Sequence, residues 1–138
     1  MTAAFSPEDA LVAVMIATSA ADQDLSDREL LSIERMIDAL PAFSAYDRDR
    51  IPAVFRTVFE LFEDEDGIDA LVGLVKEALP PGLNETAYAL ACDVAAADGS
   101  VDIAELTFLE ILRHDLEVDR LTSAAIERGA RSRHMRIS

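Results

Sequence analysis

Two aspartates and two glutamates recur at one spacing in this chain. Residues 20–37 read AADQDLSDRELLSIERMI, and residues 96–113 read AADGSVDIAELTFLEILR. At an offset of 76 residues the two segments align without gaps, so Asp22 and Glu29 fall where Asp98 and Glu105 fall. The apolar positions match as well: Leu25, Leu30, Ile33 and Met36 face Val101, Leu106, Leu109 and Leu112. Four carboxylates gathered on one face would repel one another and attract a divalent cation, which prefers oxygen ligands.

The stretch AAADGSVDIAE, residues 95–105, resembles the back half of a calcium loop. An EF-hand takes oxygen ligands from its first, third, fifth, seventh and twelfth positions and a glycine at the sixth. With Glu105 in the twelfth position, Asp98, Gly99 and Ser100 fall in the fifth, sixth and seventh. Val94 and Ala96 then occupy the first and third, where they offer no side-chain oxygen. The first copy has Thr18 and Ala20 there, and Gln23 in place of the glycine. With two of the usual ligands missing, the pattern argues against a true EF-hand.

Capping explains much of what remains. Gly99 can end one helix in the left-handed conformation. Asp102 and Ser26 can each cap the next helix, with Glu105 and Glu29 three residues on closing a capping box. Asp22 and Asp98 are not explained this way. Each falls near a helix C-terminus, where the helix dipole disfavours an anion. They either bond to N–H groups of the turn or serve a ligand.

The elements that must position these residues all read as helices. Ser6, Pro7, Glu8 and Asp9 start a first helix that runs to about residue 21 and is apolar nearly all round, hence central. A second helix opens at Ser26 and ends near Leu40-Pro41. The third covers about 47–63, with Ile51, Val54, Phe55, Val58, Phe59 and Phe62 as its buried stripe and Pro52 near its first turn. The fourth covers about 68–79, before Pro80-Pro81-Gly82. Asn84 is positioned to cap a fifth, which runs to about 97 and is rich in small residues that let helices approach closely. The sixth spans about 103–115, with Leu106, Leu109, Ile111 and Leu112 apolar. The seventh spans about 120–130. No strand pattern appears. The fold class expected is all-α: a compact single-domain bundle of about seven helices over residues 1–138. An internal pseudo-two-fold axis should place helices 1 and 5 side by side, with helices 2 and 6 flanking them.

The 138 residues are 51 % hydrophobic, too rich for a disordered chain despite a net charge of −15. Four of the 12 basic residues, Arg128, Arg131, Arg133 and Arg136, fall within residues 128–138, beyond the last acid. So acidic a body should repel nucleic acid and anionic lipid and suits cations or basic protein partners; the charge also serves solubility. The arginine tail could touch an acidic surface but reads first as a frayed terminus. The start MTAAFSPEDA lacks the features of a signal peptide, and no apolar run is long enough to insert into a membrane. A cytoplasmic location is expected. Cys92, the one cysteine, lies in an apolar run and reads as a small core residue.

Enzymatic constellations are weak. His114-Asp115 offers an acid–base pair only if neighbouring helix residues can act together, and their side chains point apart; His114 reads as a cation near a helix C-terminus. Glu63 to Asp69 reads as a solvated acidic turn with a cap for the fourth helix, or as a cation-attracting loop. No phosphate loop, zinc spacing or nucleophile motif occurs.

The repeated A-A-D-[GQ]-x-[LV]-x-x-x-E corner, on an acidic helical chain of this length, resembles the TerB-like (tellurite-resistance protein B) family across about residues 8–127. That resemblance implies a bundle of about seven helices with internal two-fold character, in bacterial stress and tellurite-resistance systems, and no enzymatic activity. It also implies that the acidic motif positions are a surface for a divalent cation or a protein partner. Here those positions are Asp22, Glu29, Asp98 and Glu105, and no cofactor beyond a divalent cation is implied. Gln23 departs from the family's glycine, so the two halves need not act alike. Tellurite resistance itself does not follow, since a lone Cys92 speaks against thiol-based reduction of the oxyanion. The function expected is a non-enzymatic stress-response interaction module. The alternative is a dedicated divalent-metal sensor or buffer.

Overall fold

The computed structural model describes residues 5–21, 25–97, 99 and 102–137. They form seven α-helices: α1 (Pro7–Ala20), α2 (Asp27–Ala39), α3 (Ile51–Phe62), α4 (Gly67–Ala78), α5 (Asn84–Ala97), α6 (Ile103–Asp115) and α7 (Arg120–Arg133). Short 3₁₀ turns at Pro41–Phe43, Arg48–Arg50 and Pro81–Leu83 join them, and no strand occurs among the described residues.

The chain starts α1 by local chemistry. The Ser6 hydroxyl accepts the Asp9 N–H, the Asp9 carboxylate accepts the Ser6 N–H, and Pro7 sits in the first turn. Orphan donors at the helix start are thereby satisfied reciprocally. From Asp9 to Ala20 every residue of α1 is buried. A helix with no polar face must be surrounded, and α1 packs against α2, α3, α4, α5 and α6. Its closest partner is α5, whose Ala87, Ala91 and Ala95 are all buried. Such small side chains let two helix backbones approach closely.

Every helix contributes to one continuous apolar cluster, from Leu11 and Met15 in α1 to Phe108 and Leu112 in α6 and Ala130 in α7. The internal symmetry follows the sequence repeat. Shifting α2 by 76 residues superposes its limits on those of α6. As α2 flanks α1, so α6 flanks α5.

Four local details differ from expectation. Asn84 does not cap α5; its side-chain amide donates to the Leu116 carbonyl at 3.1 Å and ties the start of α5 to the turn after α6. Leu106 is 54 % exposed, and Phe108 takes the buried position on α6 instead. Helix α7 continues to Arg133 rather than ending near residue 130. The α3–α4 turn is exposed at residues 63–66, as expected of a solvated turn, but Asp66 makes no side-chain cap bond. What fixes the turn is Gly67: a Cβ there would lie 2.0 Å from the Leu61 carbonyl oxygen, so only glycine lets the chain double back this tightly.

Candidate functional site

At both repeated corners the expected N-cap bond is made. Ser26 is the N-cap of α2; its hydroxyl accepts the Glu29 N–H at 3.1 Å and lies 3.2 Å from the Glu29 carboxylate. Asp102 is the N-cap of α6, accepting the Glu105 N–H at 2.8 Å. Gly99 adopts φ 83° and donates to the Ala96 carbonyl at 3.2 Å. Left-handed backbone of this kind ends a helix at little cost only when the residue is glycine. Asp22 and Asp98 lie outside the described residues. Of the other two site residues, Glu29 is half-buried and Glu105 is 2 % exposed. A carboxylate so buried on a first helical turn is held by its surroundings rather than by water.

The structure brings the first corner to the ends of α1 and α5, whereas Glu105 of the second corner does not line the cavity found there. A cavity of about 410 Å³ is lined by Ser19 from the last turn of α1, Ser26 and Glu29 from the start of α2, and Val94 and Ala97 from the last turns of α5. The C-termini of the two central helices thus open on one place, and neither carries a basic residue in its last turn. Each helix contributes a partial negative charge there, to which Glu29 adds a full one. Arg28, Arg35 and Arg136 also line the cavity, so a cation arriving there meets three guanidinium groups beside Glu29. Oxygen from carboxylate, hydroxyl and helix-end carbonyl suits a hard ion such as magnesium, calcium or manganese better than zinc. Among the described residues no three His, Cys, Asp or Glu side chains form a metal-holding group.

The basic tail is tied to α5 at its start. Arg133 donates to the Asp93 carboxylate from Nε at 3.2 Å and from Nη2, and His134 Nε2 lies 3.5 Å from the same oxygen. So anchored, the chain carries Arg136 into the lining of the corner cavity. Its guanidinium lies 3.8 Å from where a Cβ on Gly99 would sit. A cationic group of the protein itself therefore lies at the negative end of the bundle. No sequence pattern announces this, because it depends on where α7 ends and which way it leaves α5.

Three other polar clusters stand apart from the corners. Asp9, 1 % exposed, takes the Tyr46 hydroxyl at 2.9 Å, the Arg50 Nε at 3.0 Å and a second bond from Arg50 Nη2. Burial pushes its carboxyl up, but the Arg50, Ser6 and Tyr46 hydrogen bonds outweigh that and hold it below the ordinary aspartate value. All its acceptor capacity is used within the fold, so the cluster is structural. Tyr88 donates to Glu127 at 2.6 Å, and burial together with that bond pushes its phenol up. Cys92, buried beside it, is pushed up to about 12, chiefly by burial. Such a thiol is inert, in keeping with a core role. His114 and Asp115 do touch, at 3.3 Å, contrary to the expectation from helix geometry. The His114 side chain is 84 % exposed, which leaves the pair facing water.

A family model, "Tellurite resistance protein TerB", matches residues 8–128. That is most of the chain, and the chain belongs to the TerB family. Comparison with curated proteins and with solved structures returned no match. No helix among the described residues is long and apolar enough to cross a membrane.

Proposed function

We propose that this TerB-family chain is a non-enzymatic stress-response module whose acidic corner face engages a divalent cation, through which it meets a protein partner. The observation that carries the reading is the convergence of the C-termini of α1 and α5 on one cavity, together with Glu29 and the start of α2. Two helix C-termini without basic last-turn residues make a negative site before any side chain is counted. Asp22 and Asp98 follow the last turns of these helices in sequence. Together with Glu29 and Glu105 they supply the oxygen donors in this proposal. Arg28, Arg35 and Arg136 are the resident counter-charges that an arriving cation has to displace or share.

Calorimetric titration of chelator-stripped protein with magnesium, calcium, manganese and zinc tests the reading. Heat with at least one hard cation, lost in Asp22→Asn/Asp98→Asn, is the expected result. No heat with any of the four would remove the cation from the proposal. A pull-down with wild type and the same double variant tests the partner half: identical partner sets would place the partner surface elsewhere.

A further inference from the structure

A second surface lies away from the corners. Helices α2 and α3 both pack on α1 but leave between them a groove of about 1000 Å³. Its apolar lining is Leu30, Ile51, Phe55 and Phe59. Phe55 and Phe59, one helical turn apart, stack at 4.5 Å and stay only partly buried. The expected core stripe of α3 is therefore divided: Val54 and Val58 are buried away from the groove, the two phenylalanines line it, and Ile51 is buried at its edge. From Ile51 to Glu63 the groove follows α3 for about 18 Å, at about 1.5 Å per residue.

The repeat builds the groove twice. Leu30 and Glu34 correspond, at the offset of 76, to Leu106 and Glu110. Those two residues line a smaller groove of about 590 Å³ between α6 and α7, over α5. This accounts for the exposed Leu106, which has no core partner to reach. The rims differ in charge. Around the second groove Glu110 and Glu127 are balanced by Arg113 and Arg131. Around the first, Glu34, Asp49, Glu60 and Glu63 outnumber Arg48 and Arg56. Arg48 pairs with Glu34 at 2.9 Å and with Asp38 at 3.2 Å, which leaves Asp49, Glu60 and Glu63 against Arg56 on the rim.

We propose that the α2–α3 groove is a docking site for an amphipathic helix of a protein partner, with apolar residues at i, i+3, i+4 and i+7 and basic residues on its flanks. A slot between two helices, of this length and with an aromatic floor, fits the helix-in-groove mode of recognition. The acidic rim selects basic flanks by charge complementarity and disfavours acidic ones. The smaller, charge-balanced α6–α7 groove does not share that preference. None of this depends on a cation at the corners.

The test is a fluorescence-anisotropy titration of the full chain, in chelator, with labelled probe peptides of about 14 residues, long enough to span the groove as helix. One carries leucines at the helical spacing and lysines elsewhere. A second has the same composition with the leucines scrambled, and a third has glutamates for lysines. The first should bind at least about tenfold tighter than either control, since both apolar register and charge sign are read. The Glu60→Lys/Glu63→Lys variant alters only exposed side chains, so it should fold as wild type and weaken that binding by about tenfold or more. Amide shifts on binding should fall on α2 and α3. Equal binding of the scrambled peptide would reduce the effect to net charge and overturn the proposal. So would no binding, or shifts confined to α6 and α7. Sedimentation showing a dimer that Glu60→Lys/Glu63→Lys dissolves would give the groove to a second copy instead, which also overturns it.

Discussion

Replacing Asp9 by Asn changes one atom's chemistry at a fully packed position, and the outcome can be worked from four contacts. One carboxylate oxygen accepts from the Ser6 N–H and Arg50 Nη2, the other from the Tyr46 hydroxyl and Arg50 Nε. An asparagine amide must turn its NH₂ toward one of these pairs. Facing Ser6 it meets two donors. Facing Tyr46 it meets one fixed donor and a hydroxyl that can rotate to accept, so this orientation is the less costly. What is lost is a charge-assisted bond to Arg50 and the charge on the other contacts. Charged hydrogen bonds contribute about 1.5–3 kcal/mol each, and the half-exposed Arg50 regains some hydration, so the expected loss is about 2 kcal/mol. For a chain of this size that is a fall in Tm of roughly 6–8 °C.

The pH dependence gives an independent check. The Asp9 carboxyl sits below its ordinary value in the folded chain. Its contribution is therefore fully present above the unfolded value near 3.8 and is lost as pH falls through the lower folded value. The variant has no such titration. The gap between wild type and Asp9→Asn should be full at pH 7 and should close progressively below about pH 4. Thermal and urea unfolding followed by circular dichroism at pH 7, 5 and 3 measures it. A gap that is the same at all three values, or a Tm change below about 2 °C at pH 7, would refute the reasoning.

Three further outcomes follow from the structure. Gly67→Ala places a methyl against the Leu61 carbonyl and should destabilise by about 1–3 kcal/mol in urea titrations, whereas Gly73→Ala, with open space around it, should not. Cys92 should resist a thiol reagent at pH 8 in the folded chain and react at once in denaturant, because burial holds its thiol near 12. Arg136→Gln should tighten divalent-cation binding by up to about fivefold, the scale of one exposed ion pair, and titration calorimetry on the two proteins reads the difference.

The helices were legible in the sequence because their signals are local. Ser6-Pro7 at α1, Ser26 at α2 and Asp102 at α6 each cap the helix they precede. The apolar character of residues 10–20 marked α1 as central. The repeat correctly paired α1 with α5 and set α2 and α6 beside them. What stayed hidden depends on partners far along the chain. Asp9 looked like an ordinary first-turn acid, yet its ligands lie 37 and 41 residues away. Asn84 carries a capping side chain but spends it on Leu116. Leu106 shares the apolar period of α6, and only packing shows that no neighbour covers it. Of the four corner carboxylates, Glu29 and Glu105 are placed, whereas Asp22 and Asp98 fall outside the described residues.

In the proposed function the joined ends of α1 and α5 hold a divalent cation. Manganese is the direct probe, because its unpaired electrons broaden nearby amide resonances. On titrating the ¹⁵N-labelled chain with substoichiometric manganese, the account predicts broadening centred on the last turns of α1 and α5 and the first turns of α2 and α6. That broadening should be reversed by excess magnesium or calcium and absent in Asp22→Asn/Asp98→Asn. Broadening centred instead on the acidic turn at 63–69, or none at all, would contradict it.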